Sequence, residues 1–392
     1  MIATLVWICL AAIALPFLAY PFLLWLRATM APDPVVGGDE TPQVDLVIAA
    51  HDEEASIGAR IENALALDYP ADQLAIWIGS DGSSDATVAI ARGYEDRGVR
   101  VLDLPRGGKA AALRALVDAS AEADGGGEIL AFSDANSDWP ADALRKLVAP
   151  FADDRVGGVA GDQRYVEDAG DEAVGERSYW SFDRALKRWQ TQAGNAISST
   201  GAIHAVRRRC FEAPPADATD DFMISTGVIA AGERLVFAED AIAWEPTAEP
   251  VGGEFRRKTR IITRGLRGVL YRRALLDPRR TGLYAFELAV HKLLRRLTWI
   301  PLGGLVLLAP FAVGEGAVVA ALPAVGAALA VAAGAAGLAI PALRRVKPVS
   351  VAAYVVMVQS ACAWATIATL SGRRVARWEP QRAAHPTAES SP

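Results

Sequence analysis

Residues 44–50, VDLVIAA, form an apolar run that ends abruptly in His51-Asp52-Glu53-Glu54. A run without alternation suits a strand buried on both faces. The pattern continues outward from there. Residues 53–67 read as a helix with Ile57, Ile61, Ala64 and Leu65 on one side. Residues 74–79 give a second strand, 84–97 a second helix and 99–102 a third strand. An Ala-rich helix over 108–121, a fourth strand over 128–132 and a helix over 140–151 follow. This β-α alternation over about a hundred residues predicts an α/β fold with a doubly wound, mostly parallel sheet. Right-handed crossovers then bring all strand C-termini to one edge, where open α/β sheets bind ligands.

Each of the four strands is followed by a polar motif. After the first come Asp52 and Glu53. After the second comes Ser80-Asp81-Gly82-Ser83-Ser84-Asp85, after the third Arg106-Gly107-Gly108-Lys109, and after the fourth Ser133-Asp134-Ala135-Asn136-Ser137-Asp138. Asp134 and Asn136 point the same way if the chain is extended. Two hard oxygen donors on one side suit Mg²⁺ or Mn²⁺ when phosphates add further ligands. A second reading makes this a polar turn, with Asp138 capping a helix that starts at Trp139-Pro140. Gly82 lets backbone amides approach a ligand, Asp81 can accept from a base or ribose, and Lys109 near a helix N-terminus can meet a phosphate. RGGKAAAL lacks the glycine spacing and the Ser/Thr of a Walker A loop. Asp85 reads as an early-helix acid. Each loop alone is an ordinary solvated turn; their convergence on one edge points to a ligand site.

The chain has 392 residues, 52% of them hydrophobic, with the apolar excess at its two ends. Residues 2–26 are uncharged and long enough to span a bilayer, with Pro16 and Pro21 as candidate kinks. A cleaved signal peptide is disfavoured, since no basic region precedes the run. Further apolar runs cover 298–314, 317–340 and 349–371. The expected organisation is a transmembrane helix (1–27), a linker (28–42), a cytoplasmic domain (43–254), basic interfacial helices (255–297), transmembrane helices (298–371) and a polar tail (372–392). Cys9, Cys210 and Cys362 give neither a disulfide framework nor a zinc spacing. The net charge of −6 hides an uneven distribution: residues 255–296 carry thirteen Lys or Arg against Asp277 and Glu287. That band and Arg344-Arg345-Lys347 fit the cytoplasmic side. Three spans after a cytoplasmic domain would place Arg373-Arg374 outside, unless one run is re-entrant or interfacial. On the amphipathic segment 178–194, Trp180, Phe182 and Trp189 either line an acceptor groove, rest at the bilayer surface or pack in the core. Nothing in this pattern calls for a nucleic acid.

The ordered set VIAAHDEE, GSDGSSD, RGGKAAAL, FSDANSDWP, STGAIHAVRR (199–208), TDDFMISTGVIAAGERLVF (219–237) and RRKTRIITRG (256–265) resembles the family 2 glycosyltransferases, in particular membrane-integrated bacterial members. The resemblance covers about residues 43–300. It implies a nucleotide-sugar transferase (GT-A-like) fold and an inverting transfer from a UDP-sugar to a lipid or glycan acceptor at the bacterial inner membrane, aided by Mg²⁺ or Mn²⁺. Asp52 and Glu53 take the place beside uracil and ribose, and Asp81 that of the nucleotide-binding aspartate. Lys109 matches the lysine after the third strand. Asp134-Ala135-Asn136 stands where Asp-x-Asp is usual, so Asp134 carries the metal and Asn136 shares it or contacts the sugar. Thr219-Asp220-Asp221 stands for Thr-Glu-Asp, with Asp221 as the catalytic base; the residue-level alternative is an N-cap and first-turn acids. Gly201, His204 and Trp180 fall on the acceptor side, though a lone His204 also reads as a packed histidine. Arg257-Lys258-Thr259-Arg260-Ile261 replaces Gln-x-x-Arg-Trp, which keeps a diphosphate-gripping Arg260 but loses the acceptor-stacking Trp. The alternatives are transfer to a polyprenyl phosphate and a non-catalytic nucleotide-sugar binder.

Overall fold

The structure, a computed structural model, describes residues 1–124, 126–166, 173–246 and 254–373, apart from the side chains of 124 and 173–180. The chain divides into two compact units, Pro32–Pro250 and Met1–Ala31 with Val251–Val375.

The first unit is built on a seven-stranded mixed sheet. Its strands are β1 (Val44–Ala50), β2 (Leu74–Asp81), β3 (Val99–Leu104), β4 (Ile129–Asp134), β5 (Val156–Tyr165), β6 (His204–Arg207) and β7 (Arg234–Glu245). Their order is β3-β2-β1-β4-β6-β5-β7. β1, β2, β3 and β4 are mutually parallel, whereas β6 runs antiparallel to both β4 and β5. The mostly parallel α/β sheet predicted from the alternation is therefore present, with one reversed strand. All seven residues of β1 are buried, including Asp45, whose carboxylate accepts from the Arg208 guanidinium and the Gly127 amide. A buried carboxylate in a central strand is tolerated only with such partners.

Three strand ends differ from expectation. β3 runs on to Leu104, β2 to Asp81 and β4 to Asp134, so both aspartates end strands rather than occupy loops. Ala135-Asn136 then turns, with the Ser137 amide donating to the Asp134 carbonyl at 3.4 Å. Asp134 and Asn136 are consequently not on one side of an extended chain. The Asp138-capped helix is also corrected. Asp138 instead bridges to Trp244 on β7 through two 2.8 Å backbone bonds, and the helix starts at Ala143. Trp139 is 1% exposed and belongs to the core with Ile57, Ile61 and Leu144.

In the second unit three helices are long and apolar enough to cross a membrane: Ile2–Met30, Val318–Ala339 and Lys347–Leu370. The first continues through a π-helical turn at Leu15–Ala19, which absorbs Pro16. The last part of the basic interfacial segment is broken into an α-helix Leu283–Leu288, a π-turn Ala289–Leu293 and a 3₁₀ turn Leu294–Arg296. It meets the apolar helix Trp299–Gly314 at a 49° bend. Val6 of the first helix packs with Leu305, Ala309, Ala312, Ala320 and Ala324, so Trp299–Gly314 and Val318–Ala339 form a hairpin around the Glu315-Gly316 turn. Gly334 lets the backbones of Val318–Ala339 and Lys347–Leu370 touch; a Cβ there would lie 2.5 Å from the Ala352 carbonyl. The amphipathic helix Glu254–Tyr271 runs beside Lys347–Leu370. Lys258 Nζ stands 5.4 Å from the Tyr354 ring, Ile262 and Leu266 pack on Ala361, Cys362 and Ala365, and Arg267 donates to the Arg373 carbonyl.

Candidate functional site

The loops after β1 and β2 are laced together by their polar residues. Asp52 has a φ of +52°. Its amide donates to Ser83 Oγ at 3.1 Å, and its carboxylate accepts from the Ser84 amide at 2.7 Å. The Ser84 amide holds the Asp52 carboxyl below its usual range. The Glu53 amide donates to Thr87 Oγ1 at 2.8 Å, and Ser56 Oγ donates to the Glu53 carboxylate at 2.6 Å. Asp85 accepts from the Thr87 amide at 3.0 Å, as an acid at a helix start should.

Asp81 is 1% exposed and organises the next loop. It accepts from the Gly107 amide at 2.6 Å, the Gly108 amide at 2.8 Å and Arg106 Nη1 at 2.8 Å. Both amides of the glycine-rich loop are thus turned onto Asp81. Gly82 is required for this contact: its φ is +62°, and a Cβ would lie 2.8 Å from the Arg106 amide nitrogen.

Asp81 thereby fixes the start of the helix Lys109–Asp124. Lys109 Nζ lies 2.5 Å from Asp134 Oδ1 and 2.9 Å from Asp220 Oδ2, with its side chain only 11% exposed. Burial alone would lower the Lys109 ammonium; the Asp134 and Asp220 carboxylates outweigh it and hold the group above its usual value. Gly201 faces the same carboxylate, for a Cβ there would stand 2.8 Å from Asp134 Oδ2. His204, on β6, lies in the sheet beneath them, 2% exposed and stacked on Phe132 at 4.9 Å between ring centroids. Burial pulls its imidazole down to about 4, so it is neutral at pH 7. The structure places it as a packed histidine and not at an acceptor surface.

Asp220 and Asp221 open the helix Asp220–Ala230. Consecutive helical side chains point about 100° apart. Asp220 is therefore turned to Lys109, while Asp221 Oδ1 accepts from the Phe222 amide at 2.7 Å and the Asp221 carbonyl accepts from Ser199 and Ser225. Half-buried Asn136 sits in the turn after β4. Trp180 lies on the helix Ala173–Ala193, and its side chain falls outside the described residues. Arg260 lies on the helix Glu254–Tyr271 of the other unit, next to Ile261, which is 47% exposed.

Three participants escaped the sequence. Asp220 was passed over in favour of Asp221, although two acids in a first turn must diverge. Glu245 ends β7 as a buried carboxylate, accepting from Ser137 Oγ at 3.0 Å and from Gln163 Nε2. Burial, with Asp134 nearby, pushes it up to about 7; no local signal marks it. Trp139 ties the site's supports together. Its amide donates to Asn63 Oδ1 at 3.0 Å and its indole to the Ala202 carbonyl at 3.0 Å.

The donor set suits a divalent ion that arrives with phosphate ligands. Among the described residues no three His, Cys, Asp or Glu side chains stand together as a metal cage. Asp134 and Asp220 do stand together, around a lysine ammonium that acts as a stand-in cation. Mg²⁺ at phosphoryl sites needs only one or two carboxylates.

Sheet order and the polar cluster at the strand C-termini place the candidate site where open α/β sheets bind ligands. The family model described as "Glycosyltransferase like family 2" matches residues 42–264, more than half of the chain, and the chain belongs to that family. A β-monoglucosyldiacylglycerol synthase of Synechocystis sp. is 35% identical over 133 residues, 32% of this chain and 27% of the relative. An N-acetylglucosaminyltransferase of Rhizobium sp. is 24% identical over 60% of this chain and 56% of its own length. The chain thus spans only about a quarter to a half of these relatives. A mannosyltransferase of Pyrobaculum calidifontis, solved in complex with GDP-Man and Mn²⁺, superposes with a TM-score of 0.69 over 95% of this chain and 100% of that one, at 22% identity. That likeness speaks to the fold.

Proposed function

We propose that the protein transfers a hexosyl or N-acetylhexosaminyl group from a UDP-sugar to a lipid or lipid-linked glycan acceptor, with inversion, at the cytoplasmic face of the cell membrane. The observation that carries this reading is the Lys109–Asp134–Asp220 cluster at the strand C-termini, where three distant chain segments supply one anion- and cation-handling site. The Synechocystis relative, whose name describes a glucosyl diacylglycerol product, favours a lipid acceptor.

In this reading Asp52, Glu53 and Asp81 shape the nucleoside end. Lys109 binds the diphosphate, and Asn136 serves the sugar. Asp134 would hold Mg²⁺ or Mn²⁺ with Asp220. A bound divalent ion would supply charge neutralisation for the departing diphosphate. Asp221, beside the Asp220 that pairs with Lys109, takes the proton of the acceptor hydroxyl as its oxygen attacks the anomeric carbon. Gly201 leaves room beside Asp134, and Trp180 is assigned to the acceptor side from the sequence alone.

The membrane arrangement follows from charge. The hairpin of Trp299–Gly314 and Val318–Ala339 returns the chain to the cytoplasmic side at Arg344-Arg345-Lys347, in accord with the positive-inside rule. The next helix, Lys347–Leu370, is accompanied along its side by the cationic helix Glu254–Tyr271. Arginines at mid-bilayer depth are costly. Both helices therefore lie in the cytoplasmic interface, and Lys347–Leu370 does not cross.

The test is a screen of sugar nucleotides with the purified full chain and diacylglycerol, with mass analysis of the extracted lipids. A hexosyl-diacylglycerol product is expected. Product on polyprenyl phosphate alone, or no product with any donor, overturns the reading.

A further inference from the structure

We propose that Lys109 is a built-in cation for the metal site, so that a divalent ion enters only when a diphosphate draws the ammonium away and metal and donor bind as a pair. This rests on the metal-dependent donor site proposed above and assigns Lys109 a second task within it. Asp81 clamps the Gly107 and Gly108 amides, so the helix start that carries Lys109 cannot retreat. The flexible side chain alone can move. It now ends between Asp134 and Asp220, where its ammonium satisfies the two carboxylates that a divalent ion would need. A divalent ion would have to compete with the ammonium for the same oxygens, Asp134 Oδ1 and Asp220 Oδ2. Two carboxylates and one ammonium leave a single net negative charge, a weak attraction for a divalent ion on its own. A diphosphate changes both terms: it offers Lys109 a new anion within reach of a four-carbon stem and gives the ion further oxygen ligands.

The experiment measures Mn²⁺ binding by the full chain in detergent, from the electron paramagnetic resonance signal of free Mn²⁺, with and without UDP. For the wild type, UDP is expected to tighten Mn²⁺ at least tenfold. Lys109→Met, with circular dichroism as a fold check, is expected to bind Mn²⁺ alone at least tenfold more tightly than wild type and to lose most of the UDP effect. Lys109→Arg, which keeps the charge, is expected to behave like wild type. Lys109→Met binding Mn²⁺ alone no more tightly than wild type overturns the proposal. So does a wild type that binds Mn²⁺ equally well without UDP, an outcome that needs no variant to fold. Absence of Mn²⁺ binding in every protein, even with UDP, instead overturns the metal-dependent donor site beneath it.

Discussion

At the residue scale, position in the first turn of one helix separates two adjacent aspartates. Asp220 pairs with Lys109; Asp221 accepts from the Phe222 amide. Asp221→Asn is expected to lower turnover by about 10²- to 10⁴-fold, the usual worth of a positioned base, with UDP binding unchanged in calorimetry. Asp220→Asn should mainly weaken Mn²⁺ affinity. Equal losses of UDP binding in both variants would count against this division. His204 gives a pH prediction. Its folded value, about 4, lies below the unfolded value near 6.5. The unfolded chain therefore binds more protons between those values, and stability is full above about pH 6.5 and declines as pH falls toward 4. The contribution lost by pH 5 is roughly 2 kcal/mol. His204→Phe, which keeps a ring against Phe132, should show a smaller drop in melting temperature between pH 7 and pH 5 than wild type. An identical drop would show that His204 does not set this slope. The sequence made Lys109, Asp134 and Gly201 visible because each sits in a motif of distinctive spacing. It could not reveal Glu245, whose burial is a consequence of β5 and β7 pairing across distant parts of the chain.

At the element scale, alternation of apolar runs and amphipathic segments was sufficient for the first four strands and the helices between them. The strand starts were legible to within a residue, as was the end of β1; the ends of β2, β3 and β4 were not. Asp81 and Asp134 look like loop residues by composition, yet pairing with β3 and β1 carries both strands that far. The four-residue β6 was invisible for another reason: in HAVR only two of four residues are apolar, and its burial between β4 and β5 comes from tertiary pairing. The turn after β4 is the element on which the site's geometry depends most, and Trp139 anchors it. Trp139→Ala is expected to cost roughly 3–5 kcal/mol, the usual range for a core tryptophan, read as a lower thermal midpoint. Trp139→Phe keeps most of the packing but leaves the Ala202 carbonyl without its indole donor, a loss of about 1–3 kcal/mol. Should the two substitutions cost the same, the hydrogen bond would be the whole effect and the packing argument would fail.

At the scale of the whole molecule, the sequence announced apolar ends around a polar middle but left the path of the last apolar run open. Composition cannot distinguish a spanning helix from one that lies beside a cationic partner; the contacts of Lys258, Leu266 and Arg267 are the reason for proposing the second. A reporter fused after Gly372 is accordingly expected on the cytoplasmic side, inaccessible to a membrane-impermeant thiol reagent until the membrane is opened. Labelling of a cysteine at that point in intact cells would show that Lys347–Leu370 crosses. The same reagent is expected to reach a cysteine at Gly316, in the hairpin turn, without permeabilisation.

The claim beneath all of this is that Asp134 and Asp221, from segments far apart in the chain, serve one metal-assisted transfer. Its most direct test is UDP release from a UDP-sugar by wild type, Asp134→Asn and Asp221→Asn, each with Mn²⁺ and with chelator. The account predicts release by wild type only with Mn²⁺, a loss of about 10²-fold or more in both variants, and retained UDP binding in Asp221→Asn. Release that persists in Asp134→Asn, or that ignores the chelator, would contradict it.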